Sequence, residues 1–185
     1  MKSLIRIATP IGLGLLLASL SAPGIAALKQ GTRAPDFTLN AAQGGKEFSL
    51  SLKQTLRNGP VVLYFFPAAF TSGCTVEAHL FAEANSRFNQ LGARVIGVTA
   101  GNIHRVAEFS RSECRDKFAV AADPGAKVAA KYDATMVGSD GAPLSNRTSY
   151  VIAPNGTILL SYTDSKPQAH VEKTMAAVRA WNARR

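Results

Sequence analysis

The feature that most restricts the fold of this chain is Val61-Val-Leu-Tyr-Phe-Phe66, six consecutive apolar residues that precede Pro67. A run so rich in β-branched and aromatic side chains is typical of a strand covered on both faces of a sheet. We expect Pro67 to end this strand. Arg94–Thr99 is a second such run, and a helical pattern separates the two. A strand, a helix and a strand in this order predict a parallel pair with a crossover connection.

Two helices are predicted beside these strands. The first begins at Thr71-Ser-Gly-Cys74 and continues to about Gln90, because apolar residues recur there at helical spacing. The second runs from near Ile103 to Cys114 and ends in a polar run that we expect to face solvent.

Turn residues and alternating patterns predict the remaining elements. They are an N-terminal hairpin (Gly31–Leu39 and Lys46–Leu50 around a turn-rich link, Ala41–Gly45), a short strand (Phe118–Val120), a helix from Asp123-Pro-Gly125 to about Tyr132, a second hairpin (Thr148–Ala153 and Thr157–Tyr162 around Pro154-Asn-Gly156) and a last helix (Lys166–Trp181). Together these elements predict one α/β domain with a mixed central sheet flanked by helices. The order matches a thioredoxin-like fold with an N-terminal hairpin extension.

Composition excludes several classes of protein. With 46% hydrophobic and 18% charged residues, the chain can bury a core and is not disordered. Two cysteines are too few for a disulfide scaffold, and three scattered histidines predict no metal site. The net charge of +9 could indicate a nucleic-acid partner, but the basic residues are spread along the chain, so we expect none.

The first 27 residues have the three-part pattern of a secretory signal peptide. Lys2 and Arg6 are followed by the apolar run Ile11–Leu20 and by small residues up to Ala27. Cleavage would leave a mature domain of residues 28–185, exported to the periplasm or secreted and no longer attached to a membrane. The alternative is a retained membrane anchor, which the prolines and glycines of this segment disfavour.

Cys74 is the residue most suited to chemistry. It lies in the first turn of a helix that follows a buried strand, where unpaired backbone N–H groups and the helix dipole favour a thiolate over a thiol. The thiolate is the nucleophilic form of cysteine. A small buried residue at a tight helix start would occupy the same place. Position alone leaves both interpretations open.

The residues around Cys74 resemble a known family. The run from Pro67 to Cys74 has the Pro-x-x-x-Thr-x-x-Cys form of the peroxiredoxins, the alkyl hydroperoxide reductase and thiol-specific antioxidant superfamily. The longer run Tyr64–Ala78 is similar to their bacterioferritin-comigratory branch. The resemblance covers roughly Leu28 to Trp181, and its further matching segments are Ala34–Leu39, Val98-Thr99, Ala122–Pro124 and Arg147–Ile152.

The resemblance implies a peroxidase reaction and a role for five residues. Cys74 would attack hydrogen peroxide or an organic hydroperoxide and become a sulfenic acid, with no metal, haem or flavin. Pro67 would shield the site, the Thr71 hydroxyl would hold the peroxide while also marking the helix start, and Arg147 would stabilise the thiolate and polarise the O–O bond. Glu77 would orient Arg147 or the loop. Without the family pattern, Arg147 would be interpreted as a solvated hairpin charge, and for Glu77 an exposed helix charge is the alternative.

The second cysteine, Cys114, stands at neither of the two positions at which this branch carries a resolving cysteine. Many members of this branch carry a resolving cysteine five residues after the reactive one, where this chain has His79. Other members resolve from the next helix, at a place that aligns with Ser110, and Cys114 lies one helical turn further on. The resemblance therefore implies a Cys74–Cys114 disulfide, recycled by a thioredoxin-like protein. Since cysteines join only within ~7 Å between Cα atoms, both helix ends would have to unwind. Intermolecular or one-cysteine resolution and an inert Cys114 remain alternatives.

Two other functions are compatible with this fold. A thioredoxin-like thiol–disulfide oxidoreductase would need Cys-x-x-Cys, but Thr71 stands at the first position. A non-catalytic exported domain would use the two cysteines as a structural disulfide. We expect a monomer or a weak dimer, and we expect His79, His104 and His170 to be surface residues.

Overall fold

The computed structural model describes residues 27–184, so the predicted signal peptide lies almost entirely outside the described residues. The strands in this part of the chain are β1 (Thr38–Gln43), β2 (Lys46–Ser51), β3 (Val61–Ala68), β4 (Arg94–Gly101), β5 (Ala119–Ala122), β6 (Thr135–Val137), β7 (Pro143–Ser145), β8 (Thr148–Ile152) and β9 (Ile158–Thr163). The α-helices are α1 (Leu52–Leu56), α2 (Ser72–Gln90), α3 (Val106–Ser112), α4 (Lys127–Lys131) and α5 (Gln168–Asn182). Short 3₁₀ turns at Ile103–Arg105 and Pro124–Ala126 precede α3 and α4.

Seven of these strands form one mixed sheet in the order β2-β1-β5-β4-β3-β8-β9. Strand β3 pairs in parallel with β4, and α2 connects the two, which confirms the predicted crossover unit. Strand β8 pairs with β3 and β9 in antiparallel fashion, as predicted for the second hairpin. The predicted α/β, thioredoxin-like architecture is therefore confirmed.

Strand β3 lies inside the sheet, and both of its faces are buried. Its alternating side chains divide between two apolar clusters: Tyr64 and Phe66 pack with Phe81 and Phe88 of α2, whereas Leu63 and Phe65 lie in the other cluster. Complete burial of each such side chain contributes about 1.5–3 kcal/mol. This arrangement explains why the run has no polar residue.

Pro67 does not end β3, contrary to the prediction. The strand continues to Ala68, which pairs with Gly101 of β4. Strand β8 pairs with β3 only as far as Phe65, so beyond that point β3 has a neighbour on one side. A residue without an N–H group can be accommodated where a ladder ends.

The N-terminal hairpin is present, but its first strand starts later than predicted. The residues expected in the link, Ala41–Gln43, belong to β1, and the turn is only Gly44-Gly45. Both glycines have positive φ, 59° and 76°. A two-residue loop of this kind matches the twist of the flanking strands. Strand β1 also pairs with β5, which attaches the hairpin to the main sheet.

The segment after β4 differs from the single helix that was predicted. The 3₁₀ turn and α3 replace it, and α3 ends at Ser112, before Cys114. Helix α1 and the small β6–β7 sheet, in contrast, were not predicted, because each strand or helix has only three to five residues and lacks a clear period. None of the helices between residues 27 and 184 is long and apolar enough to cross a membrane.

Candidate active site

Cys74 lies in the first turn of α2 and is almost completely buried, with 1% of its surface exposed. Thr71 occupies the N-cap position, but its hydroxyl donates to the carbonyl of Ala68 at 3.1 Å and caps no backbone N–H. The expected side-chain cap is therefore absent, because the hydroxyl is turned back toward the loop. The first-turn N–H groups beside Cys74 thus have no capping side chain from Thr71.

The loop between β3 and α2 is held by the neighbouring strand. The amide of Asn102 donates to the carbonyl of Ala69 at 2.8 Å, and Ala69 N–H donates to Gly101. Phe70 has a φ of 66°, which is strained for a residue other than glycine. Its ring packs edge-on against Phe109, and Arg105 stacks on it at 3.7 Å. These contacts hold the loop in place and with it the start of α2.

Arg147 reaches Cys74 from the loop before β8. Its Nη2 lies 3.6 Å from the Cys74 sulfur, its Nη1 pairs with Glu77, and its Nε donates to the carbonyl of Ser165 at 3.0 Å. Burial opposes the charge of Arg147, but the negative partners Glu77 and Cys74 outweigh it, and its pKa is raised. The side chain is 10% exposed, so the interpretation as a solvated hairpin charge is wrong.

Gly73 makes room for this contact. A Cβ atom at position 73 would lie 3.1 Å from Nη2 of Arg147, closer than side chains normally approach. Gly73 was not predicted as a site residue. The signal was a glycine inside a helical pattern directly before Cys74, where it costs about 1 kcal/mol of helix stability relative to alanine.

Glu77 is fully buried one turn after Cys74, so it is not an exposed helix charge. Removal from water raises its pKa to about 8, and the nearby Arg147 opposes that rise only in part. Its Oε2 binds Arg147, whereas its Oε1 has no hydrogen-bond partner and lies 3.9 Å from Nδ1 of His170.

His170 is buried, contrary to the prediction of a surface residue. Its Nε2 lies 2.9 Å from the carbonyl of Asp164, and its Nδ1 lies 2.8 Å from Oγ of Ser149 on β8. Burial lowers its pKa. The signal was the spacing of His170, Thr174 and Val178, which all lie on the buried face of α5.

Pro67 and Thr71 lie on either side of the loop before α2. The carbonyl of Pro67 accepts a hydrogen bond from the Thr99 hydroxyl at 3.2 Å, which ties the end of β3 to β4. Thr71 is exposed, so its hydroxyl oxygen can be reached from solvent.

Cys114 is fully buried, so the expectation that it faces solvent is wrong. Cys114 follows the end of α3 and lies in the apolar cluster that includes Phe109 and Phe118, and the next two residues, Arg115 and Asp116, have positive φ. Burial, with a smaller effect of Glu113, raises the pKa of its thiol. Both cysteines are free.

Ser110 and His79, the two positions compared with Cys114 in the sequence, also make defined contacts. Ser110 is buried and accepts a hydrogen bond from Gly45 N–H at 3.0 Å, so it faces the N-terminal hairpin and not solvent. His79 is partly exposed and pairs with Glu113 at 2.9 Å. His104 is exposed, as predicted.

Within residues 27–184, no group of three side chains is placed to hold a metal ion. The site combines a buried sulfur, a guanidinium and a carboxyl group at the start of a helix. The model of the AhpC/TSA family matches residues 30–161. The chain belongs to the AhpC/TSA family of peroxiredoxins. The family resemblance seen in the sequence is thereby confirmed.

Relatives of this peroxiredoxin include the chloroplastic peroxiredoxin Q proteins of plants. The Arabidopsis thaliana protein is 34% identical over 164 residues, which cover 88% of this chain and 73% of the relative. The Gentiana triflora protein is 32% identical over 153 residues, 81% of this chain, and the chain spans only 66% of that relative's length.

The fold is also that of solved peroxiredoxins. The crystal structure of peroxidoxin BcpB from Mycobacterium tuberculosis has a TM-score of 0.73 and 30% identity, and the match covers 83% of this chain and 97% of that one. AhpC from Enterococcus faecalis, at 20% identity and a TM-score of 0.69, shares the fold, with 84% and 94% covered.

Proposed function

We propose that this peroxiredoxin is a thiol-dependent peroxidase that reduces hydrogen peroxide and organic hydroperoxides at Cys74. The observation that carries the proposal is the 3.6 Å contact between Nη2 of Arg147 and the sulfur of Cys74 in the first turn of α2. A permanent cation and backbone N–H groups beside a sulfur stabilise the negative charge of a thiolate nucleophile. The family membership supports the same activity.

In the first step, the Cys74 thiolate attacks the terminal oxygen of the peroxide. The O–O bond breaks, an S–O bond forms, and the departing oxygen takes up a proton and leaves as water or an alcohol. The sulfur is oxidised to a sulfenic acid. Arg147 stabilises the negative charge that develops on the two oxygens. In this proposal the exposed Thr71 hydroxyl receives the peroxide, and Pro67 shields the sulfur.

In the second step, the thiol of Cys114 condenses with the sulfenic acid. An S–S bond forms and water leaves. Because Cys114 is buried and its pKa is raised, this step requires the segment after α3 to leave the core first. A thioredoxin-like dithiol then reduces the disulfide and is itself oxidised. The protein acts as a monomer or a weak dimer.

The two other functions are less well supported. A thioredoxin-like oxidoreductase needs a second cysteine where Thr71 stands, and a structural disulfide would join two cysteines that are both free. We further propose that residues 1–27 direct export, so that the reductant is also an exported protein. N-terminal sequencing of the protein recovered from the periplasm or medium tests this, and an intact Met1 in the membrane fraction would contradict it.

The experiment that tests the activity counts thiols after one equivalent of hydrogen peroxide is added to reduced protein. Wild type should lose both thiols rapidly, Cys74→Ser should keep its thiol, and Cys114→Ser should accumulate a sulfenic acid that a dimedone probe captures. The two serine variants are matched controls for each other. Slow and equal loss of thiols in all three proteins would contradict the proposal.

A further inference from the structure

Beside the contact between Cys74 and Arg147, a carboxyl group and an imidazole face each other in the core. Oε1 of Glu77 lies 3.9 Å from Nδ1 of His170, and neither side chain is exposed. The other oxygen of Glu77 binds Arg147, but Oε1 has no hydrogen-bond partner. A buried polar atom without a partner is costly, so its surroundings require an explanation.

The contacts of His170 determine which of its ring nitrogens can gain or lose a proton. Nε2 faces the carbonyl oxygen of Asp164, which can only accept, so Nε2 carries a hydrogen in both forms of the ring. The variable proton is therefore on Nδ1. The Ser149 hydroxyl beside it can donate to a bare Nδ1 or accept from a protonated one. Nδ1 and Oε1 are thus two facing sites for a proton.

The charges around this pair favour one proton and not two or none. The titratable or charged groups that face His170 are Glu77 of α2, Arg147 before β8, Tyr162 of β9 and Asp164 after β9, and Glu77 also faces Tyr64 of β3. With one proton on the pair, the cluster keeps the single positive charge of Arg147, which a Cys74 thiolate balances. With none, the Glu77 carboxylate competes with Cys74 for the same guanidinium.

On the basis of the proposed function, we propose that Glu77 and His170 hold one proton between them and that this proton sets the position and charge balance of Arg147. While the proton is present, the guanidinium of Arg147 stabilises the Cys74 thiolate and the reacting peroxide. When it leaves, the Glu77 carboxylate binds the guanidinium more strongly and weakens its action on the peroxide. Glu77 and His170 are positioning residues in this scheme, since neither contacts the sulfur. The burial that raises the pKa of Glu77 and lowers that of His170 agrees with a pair that keeps one proton.

The test measures the rate constant of the reaction with hydrogen peroxide as a function of pH in a Cys114→Ser background. The rate of the parent should fall by about tenfold at alkaline pH as the pair loses its proton. Glu77→Gln imitates the protonated carboxyl, so its profile should show no alkaline fall. His170→Gln can keep the bond to Asp164 but cannot hold the proton. Loss of one of two proton sites lowers the midpoint, so its fall should move to lower pH. His170→Asn, which also cannot hold it, should shift in the same direction.

A profile of His170→Gln that is lower at every pH with an unchanged midpoint would overturn the proposal, because His170 would then only support the fold. A parent protein without an alkaline fall would overturn it as well. A parent that does not react with peroxide would contradict the proposed function instead. In that case NMR decides the question of the pair: the Glu77 carboxyl carbon and the His170 Nδ1, assigned with the Glu77→Gln and His170→Gln variants, should titrate with one shared midpoint. Separate midpoints would overturn the pairing.

Discussion

Glu113 Oε2 lies 2.9 Å from Nε2 of His79, and this hydrogen bond ties the segment that carries Cys114 to helix α2. His79 stands five residues after Cys74, where many members of the branch have their resolving cysteine. In this chain the residue at that position, His79, instead holds the segment that carries Cys114 in place.

We expect His79→Ala to accelerate disulfide formation. Loss of a typical hydrogen bond costs about 1 kcal/mol, so the segment would open up to about fivefold more often. The rate of the second phase, after sulfenic acid formation, measures this in a stopped-flow experiment. His104→Ala, at an exposed histidine, is the matched control and should leave that rate unchanged. An unaltered rate in His79→Ala would show that this hydrogen bond does not restrain the segment.

Arg147→Met should lower the rate constant with peroxide by about 10²–10³-fold, because the cation that stabilises the developing charge is removed. Arg147→Lys should recover only part of this loss, since an ammonium cannot contact Glu77 and Cys74 through separate nitrogens of one planar group. Arg94→Gln, at an exposed arginine, controls for the change in net charge. Equal rate constants for wild type and Arg147→Met would show that Arg147 does not take part in the reaction with peroxide.

Gly73→Ala should reduce peroxide reactivity by about tenfold while the protein stays folded. The added methyl group would lie 3.1 Å from Nη2 of Arg147, so the guanidinium must shift by a few tenths of an ångström and its contact with the sulfur is disturbed. Ser72→Ala, the preceding and exposed helix position, is the control. Circular dichroism confirms the fold of both variants. Equal rate constants for Gly73→Ala and Ser72→Ala would contradict this prediction and show that the reaction tolerates a shifted guanidinium.

Glu77→Gln should become more stable relative to wild type as the pH rises from 4.5 to about 8. The pKa of Glu77 is raised from its ordinary value of 4.5 to about 8 in the folded protein, so folded chains bind the proton over a range in which unfolded chains have lost it. Stability from this group is present at low pH and is lost as pH rises, by up to about 1.4 kcal/mol per pH unit. Urea unfolding at several pH values measures it. A difference with the opposite slope would mean that Arg147 keeps Glu77 ionised.

Phe88→Ala should lower the free energy of unfolding by about 3–5 kcal/mol, because Phe88 is fully buried against Phe81. Phe48→Ala, at a residue that is 43% exposed, should change it by less than about 1 kcal/mol. Chemical denaturation of the two variants checks this difference. Similar losses would contradict the assignment of the core.

The sequence predicted the elements with long, regular patterns. The runs at Val61 and Arg94, the helix after Cys74 and the hairpin around Pro154-Asn-Gly156 all have periodicities that local chemistry determines. Element ends were less accurate. Pro67 is tolerated in β3 only because β8 stops pairing at Phe65, and no local pattern reveals where a neighbouring strand ends.

In the candidate site, the family resemblance pointed to Cys74, Glu77 and Arg147, which lie together in the structure, but not to Gly73 or to a buried His170. His170 was predicted on the surface because a single histidine in a polar helix resembles an exposed one, and only the packing of α5 on β8 buries it. Cys114 was misplaced for a similar reason. Its sequence neighbours are polar, but the thiol itself packs in the apolar cluster with Phe109 and Phe118, which no local pattern reveals.

The burial of Cys114 has a consequence for survival under stress. Under the proposed mechanism, each catalytic cycle waits for a folded segment to open, and during that wait a second peroxide can oxidise Cys74 further to an irreversible sulfinic acid. The stability of a short stretch of backbone, and not the reactivity of sulfur, would then set the dose of oxidant at which the protein inactivates itself.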